Sequence, residues 1–165
     1  MSEQAEIDGL KFAREARRLA GELDVAAMPR LQDSLFEPVG RVLYALAGMT
    51  DRHDHPIIEV TVHGTIPLVC QRCLERLDYE LNRHSRLELV ANAAQLPDVA
   101  AEGPESEAIA TADVANVADL VEQEVILGLP LAPVHAKPCG PAPSPGEAKA
   151  DSPFAVLRSL QQQRK

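Results

Sequence analysis

Ile58-Glu59-Val60-Thr61-Val62-His63-Gly64-Thr65-Ile66-Pro67-Leu68 is the stretch on which the fold turns. Ile58, Val60, Val62, Ile66 and Leu68 fall on alternate positions, and the residues between them are polar or small, the pattern of a strand with one buried face. Upstream, Val42, Tyr44 and Leu46 alternate in the same way, and the polar run Asp51-Arg52-His53-Asp54-His55 between the two strands predicts a hairpin. Downstream, Leu77, Tyr79, Leu81, Leu87 and Leu89 share the period of two, with Asp78, Glu80, Asn82, His84 and Glu88 on the opposite face. Leu19, Gly21, Leu23 and Val25 supply one more strand, so the centre reads as an antiparallel meander with a single buried face. Two short helical pieces are expected before it closes, one or two turns over Phe12 to Arg17 and a short helix over Met28 to Phe36, with Pro29 in its first turn.

Residues 91–115 are rich in Ala, Glu, Pro and Gly without periodicity and are expected to be a mobile acidic loop. A helix follows over residues 117–129, with Asn116 as its cap, Asp119 at the third helical position, and Leu129-Pro130 as its stop. The fold class expected is therefore α+β, an antiparallel β-meander packed on one face by a helix from the C-terminal half of the chain. Residues 1–136 form a single domain in this reading. Residues 137–153 form a Pro/Gly-rich linker, and residues 154–165 a short amphipathic C-terminal segment.

The 165 residues are 45% hydrophobic and 25% charged, enough for one buried core. Aromatic residues are only 3% of the chain and Trp is absent, so that core is aliphatic and offers no platform for stacking bases. The acidic opening Met1-Ser2-Glu3-Gln4-Ala5-Glu6 and the lack of a membrane-length apolar run point to the cytoplasm, with no membrane partner. Net charge is -9, concentrated over residues 87–136, which hold nine acids and neither Lys nor Arg. Such a stretch repels phosphates and keeps the chain soluble; a contact with nucleic acid would have to use the arginines at 14, 17, 18, 72, 76, 83 and 86.

Three constellations could carry chemistry. Cys70-Gln71-Arg72-Cys73, at the end of a strand, is matched by His135 and Cys139, and two close pairs from distant parts of a chain are how a Cys3His zinc site is assembled. Against zinc stand a thiol redox role for Cys70 and Cys73, disfavoured because the pair lies between strands and not at a helix amino end, and a structural turn with buried thiols. Second, Val117, Leu120, Val121, Val125 and Leu127 form the apolar arc of the helix and Glu124 falls inside it, while Asp119, Glu122 and Gln123 face solvent. A carboxylate in that arc needs a partner, and Arg72 or Arg76 is expected to supply it. Third, Phe154, Leu157 and Leu160 follow Ser152-Pro153 at helical spacing and are candidates for docking on the sheet or on a partner. No nucleophile motif, phosphate loop or catalytic histidine arrangement is present, so no catalytic residues, no enzyme activity and no small-molecule substrate are expected.

Taken in order, Val69-Cys70-Gln71-Arg72-Cys73-Leu74-Glu75, the helix Asp119 to Pro130, Pro133-Val134-His135 with Cys139, and Pro153-Phe154-Ala155-Val156-Leu157 resemble the bacterial YceD family of large ribosomal RNA subunit accumulation proteins. Ile7-Asp8-Gly9 departs from the Asp-Pro that relatives often carry there. The resemblance implies a non-catalytic accessory factor for the synthesis, processing or stability of large-subunit ribosomal RNA. Its partners would be large ribosomal subunit components, a ribosomal protein or the ribosomal RNA, and it implies no mechanism. The alternative is a zinc-binding or thiol redox protein using Cys70 and Cys73.

Overall fold

A computed structural model describes residues 6–91, 94, 107–110 and 116–140. Helix α1 (Gly9–Arg14) is capped by Asp8, whose side chain accepts from the Lys11 N–H. Strand β1 (Arg18–Asp24) follows, then two short 3-10 turns, Val25–Ala27 and Pro29–Ser34, the second taking the place of the short helix expected there. Strands β2 (Arg41–Thr50), β3 (Pro56–Val69) and β4 (Arg76–Val90) complete the meander, each antiparallel to the one before it.

The sheet has a fifth strand that periodicity could not reveal. Strand β5 (Glu107–Ala110) lies inside the stretch expected to be loop and pairs parallel to β4, Leu87 with Glu107 through Val90 with Ala110. Four residues are too few to display a period, and the pairing is supplied by the exposed edge of β4. The result is one mixed sheet in the order β1-β2-β3-β4-β5, consistent with α+β.

Register places Val42, Leu46, Ile58, Val60, Val62, Ile66, Leu68, Leu81, Leu87 and Leu89 in one aliphatic core. Helix α2 (Val117–Gly128) covers it with Val117, Leu120, Val121 and Val125, and the Asn116 side chain accepts from the Ala118 and Asp119 N–H groups at its start. Met28, between the two 3-10 turns, and Leu31, in the second, are buried in the same core. The end of α2 lies so close to β4 that a Cβ on Gly128 would come within 2.5 Å of Leu81 Cδ1. Leu127, assigned above to the apolar arc, is 44% exposed, because at 100° per residue it falls at the margin of the arc while Gly128 beside it faces β4. No helix among the described residues is long and apolar enough to cross a membrane.

Candidate metal centre

The β3–β4 connection is a tight knuckle. The Cys70 N–H donates to the Glu75 carbonyl at 3.0 Å and the Leu74 N–H to the Cys70 carbonyl at 2.9 Å, with Leu74 at φ +62°. A non-glycine residue in the left-handed region is uncommon, and its presence here reverses the chain within six residues, turning both cysteines of the Cys-x-x-Cys to one side. The segment after α2 returns to this knuckle, where the Gln71 N–H donates to the Pro133 carbonyl at 2.8 Å. That bond delivers His135, and four residues later Cys139, to the cysteine pair.

Cys70, Cys73, His135 and Cys139 thus converge, with one donor atom of each lying within 4.8 Å of all the others. Cys70 Sγ is 3.6 Å from Cys139 Sγ, and Cys73 Sγ is 3.4 Å from His135 Nδ1. All three cysteines are free thiols, and 3.6 Å is far beyond a disulfide's length of about 2.0 Å. Tetrahedral zinc, with bonds of about 2.3 Å to sulfur and about 2.0 Å to nitrogen, separates two sulfurs by about 3.8 Å and a sulfur from a nitrogen by about 3.6 Å. The spacing present is that of a site able to close around such an ion. His135 Nε2 lies 3.0 Å from the Arg76 carbonyl, to which it donates, so Nδ1 carries the lone pair that faces the thiols. A ligating histidine is oriented in this way by its outer neighbour.

Electrostatics at the four donors favour a cation. Burial pushes the Cys70 thiol up, but the N–H groups of Cys73, Arg72 and His135 are directed at its sulfur and bring it down to about 5 overall. Burial and the neighbouring Cys73 and Cys70 sulfurs push the Cys139 thiol up. One thiolate is thus preformed, and each further negative charge in the cluster is opposed by the first. A divalent ion removes that opposition and lets the set ionise together. The residues present fit a metal ion, with Cys70, Cys73, His135 and Cys139 as its holders.

The second expected site takes a different form from the one predicted. Glu124 is buried at 2% exposure as its place in the arc required, but its partner is neither Arg72 nor Arg76. Arg83 Nε donates to its Oε2 at 2.7 Å and Ser85 Oγ to the same oxygen at 2.6 Å. Arg76 instead pairs with Glu37 and Asp78, and Arg72 Nη1 reaches the Lys137 carbonyl, at 3.5 Å. The sequence held a signal for the correct partner: Arg83 and Ser85 occupy the positions on β4 where the period of two calls for apolar residues, between Leu81 and Leu87.

Glu122, assigned to solvent, is 3% exposed. The Arg30 backbone N–H and Nε donate to its two oxygens at 2.6 and 2.9 Å, while Arg30 Nη1 reaches Gln123 and Nη2 the Asp119 carbonyl. The 3-10 turn covers a second side of α2, and nothing local in the sequence announces that contact. Glu122 and Glu124, both from the acidic stretch, are therefore paired internally with arginines. Phe154, Leu157 and Leu160 lie outside the described residues, as do residues 141–153 of the stretch expected to be a linker.

A mixed sheet crossed by one helix, with a Cys3His donor set at the knuckle of its longest hairpin, defines a small β-rich protein equipped to hold a metal ion. The family model described as "Large ribosomal RNA subunit accumulation protein YceD" matches residues 58–161, which include all four donors. The chain belongs to the YceD family, whose description is that of an accumulation factor and names no reaction. No curated protein and no solved structure matches the chain.

Proposed function

We propose that the chain is a non-catalytic accessory factor for the synthesis, processing or stability of large-subunit ribosomal RNA, acting through protein or ribonucleoprotein contacts, with a structural zinc ion at its knuckle. The observation that carries the reading is the meeting of Cys70, Cys73, His135 and Cys139 within 4.8 Å, in a chain whose family is described by large ribosomal RNA accumulation. All four donors come from the protein, and a closed set of protein ligands is the mark of a structural zinc site, since catalytic zinc keeps a position for water. Bound there, zinc would supply cross-linking of the β3–β4 knuckle to the segment after α2. The chain's own contribution is a rigid outer surface on which Leu74 is 71% exposed and Arg72 and Lys137 are exposed beside it. An exposed apolar side chain on a turn that also displays a cation suits recognition of a partner surface better than turnover of a small molecule.

Crosslinking in cells, followed by identification of both proteins and RNA, tests the function. Large-subunit ribosomal proteins or large-subunit ribosomal RNA are expected with the native chain, and recovery falls at least tenfold for C70S/C73S. Native recovery without any ribosomal component overturns the reading. Elemental analysis of the purified chain tests the ion separately, with stoichiometric zinc expected.

A further inference from the structure

Beside the knuckle lies a groove of about 250 Å³, bounded by the end of α2, the end of β3 and the close of the second 3-10 turn. Leu68, Ile126, Leu129 and Leu131 line it, with Asp33 and Gln71 at its polar margin. It is smaller than the roughly 300 Å³ at which small-molecule pockets begin, so apolar side chains suit it better than a ligand. Leu131 is fully exposed at its rim, and Leu127 and Val134, on the same stretch of chain, are 44% and 43% exposed.

We propose that this groove is the seat of the chain's own C-terminal segment, residues 154–160, which inserts Phe154 and Leu157 and covers Leu131. The described chain ends at Gly140, at φ +86°, where an added Cβ would come within 3.0 Å of the Arg72 carbonyl oxygen. Arg72 adjoins Gln71, so the remaining chain departs from the groove's margin. Residues 141–153 number thirteen, and a stretch of that length can span from roughly 20 Å at the coil limit to about 40 Å at the extended limit, ample for a return to an adjacent groove. A tether of that length holds the segment at an effective concentration on the order of millimolar, enough to populate a contact made by two or three side chains.

Composition selects the segment. Among residues 141–165 the large apolar side chains are Phe154, Val156, Leu157 and Leu160, and Phe154, Leu157 and Leu160 share one helical face. Charge agrees with it: residues 151–165 carry Arg158, Arg164 and Lys165 against Asp151. The groove presents Asp33 and the carboxyl end of α2, whose last turn has no basic residue to offset its carbonyls. The family match ends at residue 161, one position beyond Leu160, so it takes in linker and segment together. The proposal concerns the groove alone and does not depend on the proposed ribosomal role.

Methyl resonances of Ile126, Leu129 and Leu131 in the full chain provide the test. The Phe154 ring is expected to shift them upfield, and the shift is expected to be lost in F154A/L157A/L160A. The same loss is expected in L131D, a substitution on the groove side at an exposed position that leaves the sheet folded. The shifts are expected to be unchanged on tenfold dilution, with the chain monomeric by sedimentation. Identical groove resonances in the native and triple-substituted chains overturn the proposal. So does a shift that disappears on dilution, which would make the occupant a second copy.

Discussion

The two long-range junctions of this protein join similar partners by unlike chemistry. At the middle of α2, Glu124 meets Arg83 and Ser85, and Glu122 meets Arg30; every buried side-chain nitrogen and oxygen among the described residues has a partner. At the knuckle, three cysteine sulfurs and an imidazole nitrogen lie within 4.8 Å of one another, the Cys73–His135 and Cys70–Cys139 pairs at 3.4 and 3.6 Å, and apart from the N–H groups at Cys70 and the Arg76 carbonyl on the far side of His135 they face only one another. Carboxylate and guanidinium complete each other and hold the helix on the sheet without help. A cluster of such donors is able to take up a cation, so the second junction can depend on its surroundings where the first does not.

The largest effect that separates the two is metal removal. A chelator, or C70S/C73S, is expected to strip the ion and raise hydrogen exchange across residues 70–76 and 130–140 by at least tenfold, while exchange in β2 and β3 stays slow because the aliphatic core is independent of the site. Equal loss of protection in both regions would make the junctions one unit and erase the contrast. Next comes E124A, which leaves Arg83 charged and largely buried. It is expected to cost about 3 kcal/mol in denaturant unfolding, with R83M/E124L costing less than either single change. A double variant as weak as the sum of the two singles would show that the pair contributes no coupling. E122Q is expected to cost about 1 to 2 kcal/mol, less than E124A, because its partner Arg30 is 47% exposed and screened by solvent.

The pH response should differ in the same sense. In the metal-free chain Cys70 titrates near 5 against an ordinary value of 9.0, so its folded form is the lowered one. The stability it contributes is then fully present above pH 9, declines as the pH falls, and is gone below about 5. Thiolate absorbance of the metal-free chain should accordingly retain one ionised thiol through neutral pH and lose it near 5, with Cys139 ionising only above the ordinary thiol range. The smallest effect is reserved for R72A. With Glu124 already satisfied by Arg83 and Ser85, this change is expected to move unfolding stability by less than about 0.5 kcal/mol. A loss as large as that of E124A would restore Arg72 as the partner of Glu124.

Legibility followed the range of the forces involved. The four meander strands, the Asn116 cap and the end of α2 at Leu129-Pro130 could be read because alternation, capping and proline act within a few residues. The four donors could be read as a set because Cys-x-x-Cys and His-x-x-x-Cys are each local patterns. Strand β5, the burial of Glu122 and the choice of Arg83 over Arg72 could not, since each depends on what a distant segment brings alongside. Only the polar interruption at Arg83 and Ser85 left a local trace, two hydrophilic residues in an otherwise apolar register.

By itself, then, the order of residues determined which faces are apolar, where the chain turns, and which side chains are able to ligate. Tertiary structure alone decided that a 3-10 turn would bury a second carboxylate, and that His135 would present Nδ1 by giving its other nitrogen to the Arg76 carbonyl. The reason is physical: periodicity reports the preference of each residue for water or core, whereas pairing reports which donors and acceptors the closed fold leaves within about 3 Å of one another.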